Sequence, residues 1–521
     1  MLAPPTQCAH IPPAKGGRGR GRDSLKSELL LRYNIYVIRK IIFGVVALVA
    51  IVGLYGAYKP LPNGLTLESQ SYTVPNSSID FFSDRTYIDK GGVRHSDQQI
   101  FDEAFRMIKN AETYILLDMF FFSDFLGTAT TSHRQLSKEL TDLLIEKKTQ
   151  KPDIVIQVIT DPINSMYGGY TPDHFKDLER AGISVITTNL IPLRDSNPVF
   201  SALWRTFFRW LPDQGLGDIV PNALDARKPN INIVSYLNSF NFKANHRKVL
   251  MTDDARERTS GFSVLITSAN PHDGSSAHSN TAIRVDDNLW QDVLRSERVV
   301  ARFSDANFIE PSKHILDTIN DRNGDVRVQL LTERAIEKKI LELLAELGSN
   351  DEFDMAMFYL SDRDIVRALK QADERGVKIR LLLDPNKDAF GREKNGIPNR
   401  QVAHELAEYT NGNTTIRWCD THGEQCHSKL LIFKKNGANS IIQGSANLTR
   451  RNLDNLNLET NVLVSGDAGV RAINDAMAFF NASWNNTEGK TYSTDYETYA
   501  GTSIGKTLWY RFGEFTGMSR Y

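Results

Sequence analysis

The chain lacks a cysteine framework and a basic surplus, and it has one long uncharged apolar run. It contains three cysteines in 521 residues. At most one intramolecular disulfide can form, which excludes a disulfide-stapled scaffold. Lys plus Arg number 62 and Asp plus Glu 63, for a formal net charge of −1. A nonspecific nucleic-acid binder usually carries the opposite balance. The imbalance is also local. Residues 1–40 hold eight Lys or Arg against Asp23 and Glu28, a net of +6, so the body from Lys59 onward is about −7.

Residues 41–58 (IIFGVVALVAIVGLYGAY) carry no charge and are bracketed by Arg39-Lys40 and Lys59. That length suffices to span a bilayer core. Residues 1–40 precede the run, too long a stretch for a cleaved secretory signal. An uncleaved transmembrane anchor is therefore expected, with a core helix as the alternative. The positive-inside bias puts the N-terminus in the cytoplasm and the body on the extracytoplasmic side. With its Gly-Arg alternation and Pro4-Pro5 and Pro12-Pro13, region 1–40 reads as a basic disordered tail.

The remainder has ordinary globular composition, 41% hydrophobic and 24% charged over the chain. Residues 59–94 read as a linker with short strand-like pieces. Residues 96–110 place Ile100, Phe101, Ala104, Phe105 and Ile108 on one helical face, with Ser96 as N-cap. A buried strand is expected at 113–122, then helix 135–148, strand 154–159, helix 175–181 and strand 183–187. The second half replays this, with helix 333–347, strand 353–360, helix 365–375 and strand 377–383. Met357-Phe358-Tyr359-Leu360-Ser361-Asp362 matches Met119-Phe120-Phe121-Phe122-Ser123-Asp124, and Asp384-Pro385 matches Asp161-Pro162. Strand and helix alternate throughout, which argues an α/β fold.

The most specific stretch is Cys426-His427-Ser428-Lys429-Leu430-Leu431-Ile432-Phe433, followed by Gly444-Ser445-Ala446-Asn447. On a strand, positions i and i+2 share a face, so His427 and Lys429 emerge together. An imidazole beside an ammonium suits an anion, most simply a phosphate, that is held by charge and attacked or protonated. A second copy is present. His246-Arg247-Lys248, with Asp253 further along the same run, repeats the spacing, and Thr267-Ser268-Ala269-Asn270 repeats the second element.

H-x-K-x(4)-D followed by G-S-x-N, present twice, resembles the HKD motif of the phospholipase D superfamily. The first copy keeps His246, Lys248, Asp253, Ser268 and Asn270 but has Thr267 in place of Gly. The second keeps His427, Lys429, Gly444, Ser445 and Asn447 but has Lys434 in place of Asp. The resemblance implies two αβα sandwich halves related by a pseudo-two-fold axis, and a shared site. In it one imidazole attacks phosphorus to form a phosphohistidine, and the other protonates the leaving alcohol and then deprotonates water or an acceptor alcohol. By that resemblance His246 is the nucleophile and His427 the acid/base. The lysines and Asn270 and Asn447 would hold the non-bridging oxygens. No metal or other cofactor is required. Glu459 sits where the family carries an acid that orients a histidine, and the first half has Asn280 at the equivalent place. Ser268, Ser445, Asp253 and Asn280 are supporting residues, and His272, His278 and His422 read as loop histidines.

The expected domains are tail 1–40, transmembrane helix 41–58, linker 59–94, first half 95–325, second half 326–485 and an aromatic C-terminal segment 486–521. The first half has about 42 more residues between Asp161 and His246 than the second has between Asp384 and His427. This insertion, about 190–240, contains Phe200, Leu203, Trp204, Phe207, Phe208 and Leu211 at helical spacing, with Arg205 and Arg209 beside them. It reads either as an interfacial segment or as a helix packed on the body. Cys419 and Cys426 bracket a short loop before His427. A disulfide, two free thiols and a metal site with His422 are the alternatives.

The combined expectation is a membrane-anchored phosphodiester hydrolase or phosphatidyltransferase of the phospholipase D or cardiolipin synthase kind. Its substrate would be a phosphatidylglycerol-like phospholipid, its acceptor water or an alcohol, and its partner the bilayer, with no nucleic acid. A superfamily nuclease is the first rival, and a non-catalytic membrane scaffold the second.

Overall fold

Runs rich in Val, Ile and Leu become strands here because both faces of each sheet are covered, so neither face has to be polar. The computed structural model describes residues 20–127, 133–211, 217–254, 261–312, 324–501 and 503–519. Its strands are β1 (Tyr72–Val74), β2 (Ile79–Ile88), β3 (Arg94–Asp97), β4 (Ala111–Met119), β5 (Val155–Thr160), β6 (Ser184–Thr187), β7 (Lys248–Asp254), β8 (Ser263–Thr267) and β9 (Asn280–Val285). Then come β10 (Val326–Thr332), β11 (Glu352–Met357), β12 (Lys378–Leu383), β13 (Asp388–Ala389), β14 (Arg392–Glu393), β15 (Thr414–Cys419), β16 (Lys429–Lys435), β17 (Ala438–Gly444), β18 (Thr460–Asp467) and β19 (Ser493–Asp495).

The first large sheet runs β3-β2-β9-β8-β7-β4-β5-β6, and the second runs β1-β10-β18-β17-β16-β11-β12-β15-β19. In each, three strands are parallel (β4, β5, β6 and β11, β12, β15) and the motif-bearing neighbours join antiparallel. The two halves therefore share one strand plan, a mixed α/β sheet built twice. Leu116, Met251 and Ile266 of the first sheet share one buried core with Leu430, Ile432 and Ile441 of the second. Each outer face has its own core, with Ile108, Leu140 and Leu178 against the first sheet and Ile340, Leu369 and Leu406 against the second. The helices Trp290–Phe303 and Arg471–Asn485 contribute to the shared core. Full burial of one such aliphatic side chain is worth about 1.5–3 kcal/mol. The sheet-to-sheet core thus holds the halves, and the site between them, together.

Three local expectations are corrected. The stretch 59–94 is woven into both sheets, with β1 pairing β10 and β2 pairing β9. Its short strands alternate weakly, so only the partner strands reveal them. Ser96 is not a cap but lies in β3. The helix Ile100–Asn110 is instead started by Asp84, whose carboxylate accepts the backbone N–H groups of Gln99 and Ile100 at 2.8 and 3.0 Å. Finally, residues 20–40 are helical, not disordered. The helix Arg20–Tyr58 runs straight into the apolar stretch, because residues 23–43 contain neither glycine nor proline. The Pro pairs of the tail lie outside the described residues.

That helix is long and apolar enough to cross a membrane. Its apolar part, within Lys26–Tyr58, is not buried by the body. The helix Pro198–Leu203, extended by the π-helical turn Trp204–Phe208, packs against its foot. Trp204 and Arg205 are buried, and Arg205 is paired with Asp195 at 2.8 Å, so this arginine does not flank an interface. Leu203, Phe207 and Trp210 remain exposed. The C-terminal helix Ile504–Thr516 docks on the body through Tyr510, whose hydroxyl donates to Ser361 O at 3.1 Å.

Candidate active site

Both motifs sit at the strand ends that face the other half. Each is bridged across the boundary by backbone. His246 N–H donates to Leu458 O at 2.9 Å, and His427 N–H donates to Ser279 O at 2.8 Å. The residue that follows each acceptor is the one that holds the histidine. His246 Nδ1 lies 2.9 Å from Glu459 Oε1 and 3.0 Å from Oε2. His427 Nδ1 lies 3.1 Å from Asn280 Oδ1. Each histidine is thus oriented by the opposite half. Both are buried but reach a shared cavity of about 460 Å³.

The serines of the second motif element hold the orienting groups. Ser268 Oγ donates to Asn280 Oδ1 at 3.0 Å and accepts Thr281 N–H. Ser445 Oγ donates to Glu459 and accepts Thr460 N–H at 3.0 Å. Asn452 also donates to Glu459. Asn280 Nδ2 donates to His278 O at 3.1 Å, which fixes its carbonyl toward His427. In both pairs Nδ1–H is the donor, which leaves Nε2 of each imidazole for the cavity.

Lys248 Nζ donates to His246 O at 2.7 Å, and Lys429 Nζ donates to His427 O at 2.8 Å. Each ammonium also stands over a ring, 5.1 Å from the Phe120 centroid and 5.3 Å from that of Phe358. Asn270 and Asn447 line the cavity, and Asn447 Oδ1 is buried without a hydrogen-bond partner among the described residues. Asp253 is not brought to the site. It lies at the far end of β7, where its carboxylate accepts the N–H groups of Glu112, Thr113 and Tyr114. Lys434 at the matching place instead pairs with Glu352 and Asp354. The motif carboxylate therefore pins a neighbouring strand. Gly444 is required by space, since a Cβ there would collide with Thr460 O and Asn461 Cα.

Burial dominates the electrostatics. It pulls His246 down to about 4 against the opposing pull of Glu459. It pushes Glu459 up, but His246, Lys248 and Ser445 outweigh that and hold the carboxyl below its usual range. The resting pair is a neutral imidazole donating to a carboxylate. Burial takes Lys248 down to about 7, and burial together with Lys248 takes Lys429 well below its usual value. Burial and then Lys429 do the same to His427. Burial thus disfavours the charged form of both histidines and both lysines, and an anion entering the cavity would favour it.

Sequence reasoning missed a supporting layer. The Asp161 carboxylate accepts Asn245 N–H at 2.6 Å, and Asp384 accepts Cys426 N–H at 2.7 Å, so each braces a motif loop. Burial raises them to about 7 and about 6. Their signal was the Asp-Pro pair at matching strand ends. His272 and His278 lie in the loop between β8 and β9. Both are buried and line the cavity, and the His278 ring is 5.9 Å from that of His427. His422 stays outside, beside Asp420. Cys419 and Cys426 are disulfide-bonded. Of the insertion, Ala223 and Leu224 reach the cavity wall.

Two α/β sheets of one strand plan meet at a paired His-Lys-Asn site. Residues 343–484 match the family described as cardiolipin synthase, PLD-like domain. Among solved structures, the fold is similar to that of phosphatidylserine synthase from Haemophilus influenzae Rd KW20. That match has a TM-score of 0.54 and 10% identity, and covers 88% of this chain and 96% of the other. Polyphosphate kinase from Porphyromonas gingivalis matches at a TM-score of 0.43 and 12% identity, over 89% of this chain and 55% of that one. Nuc, a phospholipase D family member from Salmonella typhimurium, matches at 0.25 and 18%, over 32% and 97%. No curated protein sequence matches the chain.

Proposed function

We propose that the chain is a membrane-anchored phosphodiesterase or phosphatidyltransferase that acts on phospholipids through a phosphohistidine at His246. The observation that carries this reading is the unequal pair of orienting groups, a carboxylate on His246 and an amide on His427. Glu459 keeps the Nδ1 proton on His246, so Nε2 presents a lone pair, and its charge steadies the cationic adduct. Asn280 orients His427 without neutralising it, so protonated His427 is a strong acid that gives up its proton readily.

The anionic phosphodiester enters between Lys248 and Lys429 and supplies the counter-charge that lets His427 take up a proton. Nε2 of His246 bonds to phosphorus. The phosphorus–oxygen bond to the leaving alcohol breaks, and that oxygen takes the proton of His427. Neutral His427 then removes a proton from water or an acceptor alcohol. The new oxygen bonds to phosphorus, and the phosphorus–nitrogen bond breaks. The two lysines, with Asn270 and Asn447, hold the non-bridging oxygens.

The lipid assignment is supported by the apolar N-terminal helix, by the matched family's description and by the acidic body, which argues against a nucleic-acid substrate. The test uses the detergent-solubilised full chain with phosphatidylglycerol and, separately, single-stranded DNA, beside His427→Ala. Cardiolipin plus glycerol, lost in the variant, indicates a synthase. Phosphatidic acid plus glycerol indicates a hydrolase. Degraded DNA with intact lipid would overturn the lipid reading.

A further inference from the structure

A second, larger cavity of about 670 Å³ lies beside the catalytic one. Much of its wall comes from the insertion and the C-terminal helix. The insertion supplies Val199, Phe200 and Leu203, and the C-terminal helix supplies Trp509, Phe512 and Met518. Phe242, Tyr359 and Lys394 line both cavities, so the two adjoin.

The two segments are fastened to each other and to the foot of the apolar helix. Asp195 N–H donates to Gly56 O at 2.9 Å, and Lys59 Nζ donates to Ile191 O at 2.5 Å. A Cβ on Gly53 would sit 3.2 Å from Ala202 Cβ, so the helix foot lies directly on the insertion. On the other side, Gly517 abuts Ser196 and Pro198, and Arg451 Nε donates to Ser196 Oγ at 2.9 Å. Around this assembly several large apolar side chains are exposed. Phe207 is 48% exposed, Trp210 73%, Leu508 65% and Phe515 87%. Soluble surfaces rarely carry such a cluster without a partner. A helix with an aromatic, apolar outer side lies readily in a bilayer interface.

We infer that this face docks on the bilayer, and that the larger groove receives the acyl chains of a phospholipid whose phosphate sits between His246 and His427. The inference rests on the lipid reading given above. The occupant follows from placement. If the apolar helix is in a membrane, its foot holds the insertion and the C-terminal helix at that membrane's surface. The groove then opens toward the lipid and adjoins the catalytic cavity. A pocket of this size is within the ordinary range for a small-molecule site.

The test uses the full chain in phosphatidylcholine–phosphatidylglycerol vesicles. Brominated acyl chains should quench tryptophan emission strongly in the wild type and much less in Trp210→Phe/Trp509→Phe. Phe207→Arg/Phe515→Arg should lower vesicle turnover at least about tenfold, while turnover of monomeric dihexanoyl-phosphatidylglycerol stays as in the wild type. That short-chain control also shows the variant is folded. Leu203→Trp, which narrows the groove, should reduce kcat/KM for long chains more than for short ones. Quenching equal in wild type and double variant, with vesicle turnover unaffected by the arginines, would overturn the inference. So would dissociation of a dimer by the arginines without loss of lipid turnover, since a second copy would then cover the face. If the wild type turns over neither lipid, the proposed function fails, and the quenching still decides docking by itself.

Discussion

Glu459 of the second half orients His246 of the first, with Oε1 2.9 Å from Nδ1, while the mirror position beside His427 is filled by Asn280. The site is symmetric in backbone and in its His-Lys-Asn groups, and asymmetric in one charge. That charge distinguishes the two imidazoles.

The asymmetry predicts unequal responses. Glu459→Gln keeps the shape but removes the charge, and turnover should fall on the order of 10- to 100-fold. Asn280→Asp should raise the pKa of His427 and shift the rate profile to higher pH without restoring a Glu459→Gln background. Steady-state rates across pH check both.

A general acid is needed only when the leaving group is poor. His427→Ala should lose about 10²–10⁴-fold on phosphatidylglycerol. It should lose far less in the first step with a p-nitrophenyl phosphodiester, whose leaving group needs no proton. His246→Ala should lose both. A burst of p-nitrophenol in His427→Ala, absent in His246→Ala, is the expected record.

Burial depresses Lys248 to about 7. In the unfolded chain the ordinary value near 10.5 applies, so between pH 7 and 10.5 the unfolded state binds more protons. Lys248 thus makes the anion-free protein more stable as pH rises through that window. Anion binding goes the other way, because the charged lysine is the binding form. Sulfate keeps its charge throughout, so its affinity should fall above pH 7, and Lys248→Met should flatten the fall. Calorimetric titrations at pH 6 to 9 measure it.

Arg247, between the two motif residues, is fully buried and pairs with Glu297 at 3.1 Å and Glu333 at 2.7 Å. Glu333 in turn accepts Glu459 N–H at 3.2 Å. Removing one partner strands a buried charge, so Arg247→Met should destabilise the protein by about 3–5 kcal/mol. A lowered thermal midpoint with weakened activity is expected.

The disulfide between Cys419 and Cys426 closes the loop before His427. Such a bond persists outside reducing compartments. Denatured, unreduced protein purified from its membrane should show one free thiol, Cys8, and reduced protein three.

The repeated halves, the strand–helix alternation and the His-Lys-Ser-Asn set were legible because each is written twice at matching offsets. Asp161 and Asp384 were visible as a repeated Asp-Pro, but their bonds to Asn245 and Cys426 depend on loops folding back across the sheet. The partners β1 and β2 were not legible. Each pairs with a strand far downstream, Tyr72 opposite Val328 and Ile79 opposite Val285, so local periodicity holds no record of it. The motif Asp253 misled for the opposite reason: it is near the lysine in sequence but at the far end of the same strand in space. Spacing cannot separate proximity along a strand from proximity in a site.

The central claim is a covalent bond between phosphorus and His246. The direct measurement is mass spectrometry of peptides from His427→Ala, quenched at alkaline pH after mixing with a p-nitrophenyl phosphodiester. The account predicts the phosphoryl adduct on His246 and none in His246→Ala. An adduct elsewhere, or a full burst of p-nitrophenol with no adduct, would contradict it.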